Sequence, residues 1–217
     1  MIDHYPAIVV LVSGRGSNLQ AIIDRTQQDL PARIAAVISD EPEALALERA
    51  HRARIPAHVV DRQAGPTRAA FEAALQAIID DYQPALVILA GFMRILTRNF
   101  VAHYQGRLIN IHPSLLPALP GLNTHARALA GGHRRHGASV HFVTEEVDGG
   151  PIIIQAAVPV FPEDTPEVLA ERVLEQEHRI LPEAIRWFLD EELTIDGRIV
   201  RRRGQPVALF GGAEGGS

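Results

Sequence analysis

Asn110 and His112 stand two apart in the run RLINIHP, so on an extended strand both side chains point to one face and Ile111 to the other. Pro113 biases His112 toward an extended backbone, which keeps the pair aligned. An amide donor beside an imidazolium donor can stabilise negative charge developing on a carbonyl oxygen. That is equipment for acyl transfer without a covalent nucleophile. A histidine with an ordinary pKa of ~6.5 is mostly neutral at pH 7, so an acid role needs a carboxylate to hold it protonated. Asp148, in TEEVDGGP, is the best candidate, because Gly149 and Gly150 let the chain turn sharply and approach another element closely. A plainer reading stays open, in which His112 ends a strand and Asp148 serves a turn.

The second chemical signal is VVLVSGRGSNLQAII, a strand, a glycine-bearing turn and a helix start in succession. Gly14 and Gly16 permit tight backbone conformations, and Ser17 or Asn18 can cap the helix and donate to an anion. A phosphate would sit on the helix N-terminus, where free N–H groups and the dipole favour negative charge. Leu19 stands where a dinucleotide fingerprint wants Gly or Ala, so a monophosphate fits better than NAD. A turn that heads a sheet and binds nothing is the alternative.

Six of the ten histidines fall between His103 and His141, which raises the question of a metal. Arg134 and Arg135 lie between His133 and His136, and Gly131, Gly132 and Gly137 surround them, so the pair reads as an exposed turn and no metal is expected. His141 alternates with Val140 and Phe142 and reads as a hydrogen-bonded core or wall residue. Ser114 and Ser139 lack a nucleophile elbow, which argues against a serine hydrolase.

Short apolar runs bounded by turn residues position these groups, with helix-period segments between them, the layout of a doubly wound, mostly parallel α/β sheet with helices on both faces. Strands are expected at Ala7–Ser13, Arg33–Ser39, Ala57–Val60, Leu86–Ala90, Leu108–His112, Ala138–Val143 and Pro151–Val158. Helices are expected from about Ser17, from Pro42, over Thr67–Tyr82 and from Thr165, the last disturbed at Pro182. In the third, Phe71, Ala74, Leu75, Ile78 and Ile79 form the apolar stripe, with Arg68, Glu72 and Asp80 outside it. In the last, Val168, Leu169, Val173, Leu174, Ile180 and Leu181 seat the helix on the sheet. Pro113, Pro117, Pro120 and Gly121 punctuate a long loop after His112. LTIDGRIV reads as a hairpin with Asp196 and Gly197 at its turn.

At 217 residues, 47% of them hydrophobic, the chain has material for one domain, 1–217, with a core needing no staples. Residues 211–217 are expected to fray. Zero cysteines remove disulfides, thiolate metal sites and cysteine nucleophiles. A net charge of −5 with 5% aromatic residues argues against a nucleic-acid surface, and the basic run Arg201–Arg203 reads as solvated. The longest apolar run, Ala85–Met93, is about half of a membrane span, and the N-terminus carries no basic leader. A soluble protein follows.

The motifs SGRGSNLQAII, LAGFMRIL, NIHPSLLPALPG, GASVHFVTEEVDGGPII and QEH together resemble the phosphoribosylglycinamide formyltransferases, a folate-dependent family of purine biosynthesis, from about Ile8 to Trp187. The resemblance implies a Rossmann-like formyltransferase fold and transfer of formyl from 10-formyltetrahydrofolate to the amine of glycinamide ribonucleotide, without a metal. It makes Asn110, His112 and Asp148 the catalytic trio. It assigns the ribonucleotide to Gly16, Ser17 and Asn18 at the phosphate and to Leu174, Glu175, Gln176 and Glu177 at the sugar and glycinamide. Folate falls to Arg68, Met93, Arg94, Ile95, Leu96 and Asn110 with Thr144, Glu145, Glu146, Val147 and Asp148. Small molecules are then the partners, the chain is a monomer or homodimer, and the location is cytoplasmic. Formyltetrahydrofolate hydrolase keeps the same trio and is the alternative enzyme. A catalytically silent nucleotide-binding module is the alternative outside enzymes.

Overall fold

A computed structural model describes residues 5–61 and 67–209. The expectation for 211–217 lies outside the described residues. The elements run β1 (Ala7–Val12), α1 (Ser17–Gln28), β2 (Arg33–Ser39), α2 (Leu45–Arg52), β3 (Ala57–Val59), α3 (Arg68–Asp81), β4 (Leu86–Leu89), α4 (Arg98–His103), β5 (Leu108–His112), α5 (Thr124–Ala130), β6 (Arg135–Phe142), β7 (Ile152–Pro159), α6 (Pro166–Leu189), β8 (Leu193–Asp196), β9 (Ile199–Arg202) and β10 (Gln205–Pro206). The main sheet has seven strands in the order β3-β2-β1-β4-β5-β6-β7 and is mostly parallel. The chain forms two compact units, Met1–Asn110 and Ile111–Ser217.

In the first unit β1 pairs in parallel with β2 on one side and β4 on the other, and β4 pairs in parallel with β5. The strand order therefore reverses between β1 and β4, the switch point at whose carboxyl ends open α/β sheets bind ligands. Ile8 to Val12 and Leu86 to Ile88 are fully buried, the unbroken apolar run that a strand covered on both faces requires. Thr67 caps α3, its hydroxyl accepting the Ala70 N–H at 3.2 Å. Here the buried residues are Phe71, Glu72, Leu75 and Ile79. Glu72, expected outside the stripe, is buried, and Ala74 is exposed. The second helix starts at Leu45 rather than Pro42, because Ala44 at its N-cap is still extended. The short helix α4, capped by Thr97, has too few turns to show a period in sequence.

In the second unit β6 and β7 are antiparallel, and α6 packs on both. Thr165 caps α6, accepting the Val168 N–H at 3.3 Å. The helix runs unbroken through Pro182. Buried Leu181, Ala184 and Ile185 hold this stretch by packing, which offsets the one helical hydrogen bond that a proline lacks. Val168, placed on the seated face by its period, is 46% exposed. The LTIDGRIV hairpin forms, with Asp196 opposite Ile199, so Gly197 and Arg198 make the turn. β10 adds a third strand. Arg202 stacks on the Trp187 ring 3.8 Å from its centroid and pairs with Glu192 at 2.6 Å, and Arg203 also pairs with Glu192. The basic run is thus engaged within the chain, and these guanidinium groups hold the Glu192 carboxyl below its usual range.

Candidate active site

In the first unit the glycine turn follows β1 directly. Gly16 is the N-cap of α1 and adopts φ 71°, with no side chain capping the helix. The expected cap by Ser17 or Asn18 is therefore corrected, since Ser17 is already helical. A Cβ on Gly16 would come within 2.7 Å of the Ala46 Cα, so only glycine lets α2 approach the turn this closely. Arg49 holds the turn from outside, donating to Arg15 O at 2.9 Å and to Gln20 Oε1 at 3.1 Å. Asn18 is buried and Arg15 exposed. The arrangement leaves the first N–H groups of a 12-residue helix at the carboxyl end of β1, a ready anion site.

Across the switch point the chain leaving β4 is tied to the same turn: Ser13 N donates to Gly91 O at 3.2 Å and Met93 N to Ser13 Oγ at 2.9 Å. The segment from Met93 to Leu96 has no regular structure. Met93 is 66% and Ile95 64% exposed, an apolar surface fit for a flat apolar ligand face. Arg68 and Arg94 are both arranged around α3, Arg68 beside Glu72 and Arg94 over the Phe71 ring. Asn110, opposite Leu89 on β4, ends this unit on β5.

In the second unit His112, 6% exposed, continues β5. Its Nδ1 lies 3.5 Å from Asp148 Oδ2 and its Nε2 3.1 Å from Leu119 O. An acceptor stands at each ring nitrogen, which is what an imidazolium requires. Asp148 sits at φ 54°, in the turn where Gly149 N donates to Glu146 O at 3.1 Å. Its Oδ2 also accepts the Gly121 N–H at 2.8 Å, and its Oδ1 lies 3.7 Å from His141 Nε2. His141 is buried, and its Nδ1 meets Phe142 O at 2.9 Å, so Nδ1 carries a proton. Burial pushes its pKa down. Thr144 to Asp148 form one turn beside a cavity of about 250 Å³ bordered by Leu116, Pro117, Asp148 and Ile199. Leu174 to Glu177 make one turn of α6, in which Glu177 is buried and Glu175 exposed.

The proline loop is pinned by the two serines. Ser139 Oγ donates to Ser114 O at 2.6 Å and accepts from Leu116 N at 3.1 Å and Gln155 Nε2 at 2.8 Å. Leu116–Pro117 is cis. Thr124 Oγ1 donates to Pro113 O at 2.7 Å. His136, expected in an exposed turn, is 2% exposed on β6, with its Nε2 3.2 Å from His125 Nδ1 and the two rings edge to face. A strand begins where the Arg134–Arg135 pair suggested a turn. Among the described residues no three metal-ligating side chains gather, and no helix is long and apolar enough to cross a membrane.

Residue spacing did not reveal His141 as a second imidazole on Asp148, nor Asp40 and Glu72 as buried carboxylates behind Met93–Thr97. For His141 the signal was there: an alternating strand that ends just before the turn of Asp148.

A family profile described as formyl transferase matches residues 7–185. The chain is 53% identical to phosphoribosylglycinamide formyltransferase of Escherichia coli K12, over 86% of this chain and 88% of that protein. The solved phosphoribosylglycinamide formyltransferase of Coxiella burnetii superposes with a TM-score of 0.90 at 51% identity, covering 94% of this chain and 97% of that one. A formyltetrahydrofolate deformylase of Pseudomonas putida superposes with a TM-score of 0.83 at 26% identity, covering 92% of this chain and 71% of that one. With the profile spanning most of its length, this chain belongs to the formyl transferase family.

Proposed function

We propose that the chain transfers the formyl group of 10-formyltetrahydrofolate to the amine of N1-(5-phosphoribosyl)glycinamide, giving formylglycinamide ribonucleotide and tetrahydrofolate. The observation that carries this reading is the pairing of buried His112 with Asp148 at 3.5 Å, in a chain 53% identical to an enzyme of that name.

Formyl folate brings an activated formyl carbon, and the chain's own groups do the rest. Gly16, Ser17 and Asn18 take the phosphate at the start of α1, and Leu174 to Glu177 border the sugar and glycinamide. Arg68, Met93 to Leu96, Asn110 and Thr144 to Asp148 hold the folate. The neutral amine attacks the formyl carbon, and the carbonyl electron pair moves to oxygen. Asn110 and protonated His112 donate to that oxygen, and His112 Nε2 exchanges Leu119 O for it. Asp148 supplies the negative charge that an imidazolium pairs with. As the bond from carbon to the folate nitrogen breaks, the proton lost by the amine passes to that nitrogen through a water held by Asp148.

The proposal extends to one functional domain, phosphate-binding in its first half and catalytic and folate-binding in its second. It also extends to a monomer or homodimer in the cytoplasm, with small-molecule partners and no nucleic acid. A second reading, hydrolysis of formyltetrahydrofolate, draws on the likeness to the deformylase and uses the same trio. Folate turnover with and without glycinamide ribonucleotide separates the two. Strict dependence on the amine supports transfer, and equal turnover without it overturns transfer.

A further inference from the structure

We infer that two buried carboxylates, Asp40 and Glu72, are positioning residues that hold the Met93–Thr97 segment in the shape that receives folate; this rests on the folate reading given above. The segment is apolar, irregular and turned outward, so burial of its own side chains cannot fix it. Its polar backing does. At one end Met93 N donates to Ser13 Oγ at 2.9 Å, and that hydroxyl donates to Asp40 Oδ1 at 2.6 Å. The other Asp40 oxygen lies 3.9 Å from Arg94 Nη1, and the Arg94 guanidinium rests 4.2 Å from the Phe71 ring centroid. At the far end Glu72 Oε1 accepts the Thr97 N–H at 2.8 Å, and Oε2 accepts the Thr97 hydroxyl. Arg68 Nε reaches the same carboxylate at 3.4 Å.

The side chains of Asp40 and Glu72 are only 4% and 7% exposed. Burying a carboxylate is costly unless charge and hydrogen bonds compensate it, and here most of the compensating partners belong to this one exposed segment or hold it. A fold with no use for a rigid segment there could leave it loose in water. Held in advance, the segment loses little freedom when a ligand settles on Met93 and Ile95, which preserves affinity.

The test compares the purified full chain with Asp40→Asn, Glu72→Gln, Thr97→Ala and Thr97→Ser, reading kcat and KM for formyl folate and for the ribonucleotide. Glu72→Gln and Thr97→Ala should raise the folate KM about tenfold with kcat within roughly threefold of the parent. The ribonucleotide KM should stay unchanged, and Thr97→Ser should restore the parent value. Asp40→Asn should raise the folate KM more than the ribonucleotide KM. Unchanged folate KM in all variants, or losses shared equally by both substrates and kcat, would overturn the inference. If the carboxylate variants do not fold, the Thr97 pair decides alone. Ile95→Asp is the control for the underlying reading. If it leaves folate binding intact, the folate assignment of the segment fails; if it weakens binding while the anchor variants do not, only the anchoring role fails.

Discussion

Asp148 Oδ2 lies 3.5 Å from His112 Nδ1 while accepting the Gly121 N–H at 2.8 Å. One oxygen thus serves the proline loop and the imidazole together. The carboxylate is carried by a residue at φ 54°, a region where Asp and Asn are the tolerated side chains after glycine. Holding the loop and, in the proposed reaction, providing charge can therefore be separated by a single isosteric change.

Asp148→Asn keeps the backbone shape, and its amide oxygen can still accept from Gly121, but the charge opposite His112 is gone. Turnover should fall much further than folate affinity. Measuring kcat beside the dissociation constant of a non-reactive folate checks this, and equal loss in both contradicts the assigned role.

In the proposed reaction Asn110→Ala and His112→Ala each remove one donor from the oxygen that gains charge. Loss of such a donor costs on the order of 100-fold or more in kcat. Near-normal turnover in both purified variants would overturn the catalytic assignment. His112 is 6% exposed, so a thermal melt of each variant must accompany the kinetics.

Neighbouring glycines after Asp148 should respond unequally to alanine. A Cβ on Gly150 would stand 1.8 Å from the Phe142 carbonyl oxygen, a backbone atom of β6, whereas the nearest atoms to one on Gly149 belong to the Glu146 side chain. Glu146 is exposed and ends in a surface pair with Arg198 at 3.0 Å, worth at most about 1 kcal/mol. Gly150→Ala should therefore destabilise by roughly 1–3 kcal/mol or more, while Gly149→Ala stays within about 1 kcal/mol. Urea midpoints distinguish them, and similar values for both would contradict the close approach.

The strands β2 and β5 were legible to the residue because unbroken apolar runs between turn residues have few other solutions in an α/β chain. Asn110 and His112 both fall on β5, as expected from the apolar run that delimits that strand. Glu72 was not. A charged residue on an amphipathic helix reads as solvent-facing, and the partner that satisfies its buried carboxylate is Thr97, 25 positions away, a relation that no local period encodes. His136 failed for the same reason, since the partner that accommodates it, His125, lies on a different element. The short helices α4 and α5 lack the turns over which a 3.6-residue period shows itself, and α2 was displaced by a proline that stands in the preceding turn.

The His125–His136 contact predicts how the fold responds to acid. Their nitrogens approach to 3.2 Å, a hydrogen bond that needs a lone pair on one ring, so the two cannot both be charged without breaking it. Burial, followed by the neighbouring imidazoles His125 and His133, pushes His136 down to about 4. Burial likewise lowers His125. In the unfolded chain a histidine titrates near ~6.5. Between these values the unfolded state binds a proton that the folded state refuses, so stability rises with pH through this window. The contribution is fully present above ~6.5 and is lost as pH falls toward about 4. For His136 the full loss is on the order of 3 kcal/mol. Urea unfolding at pH 7.5 and pH 5 should show a large drop in the parent chain and a smaller one in His136→Gln, which cannot take the proton. An identical drop in both would remove His136 as the source of the acid sensitivity.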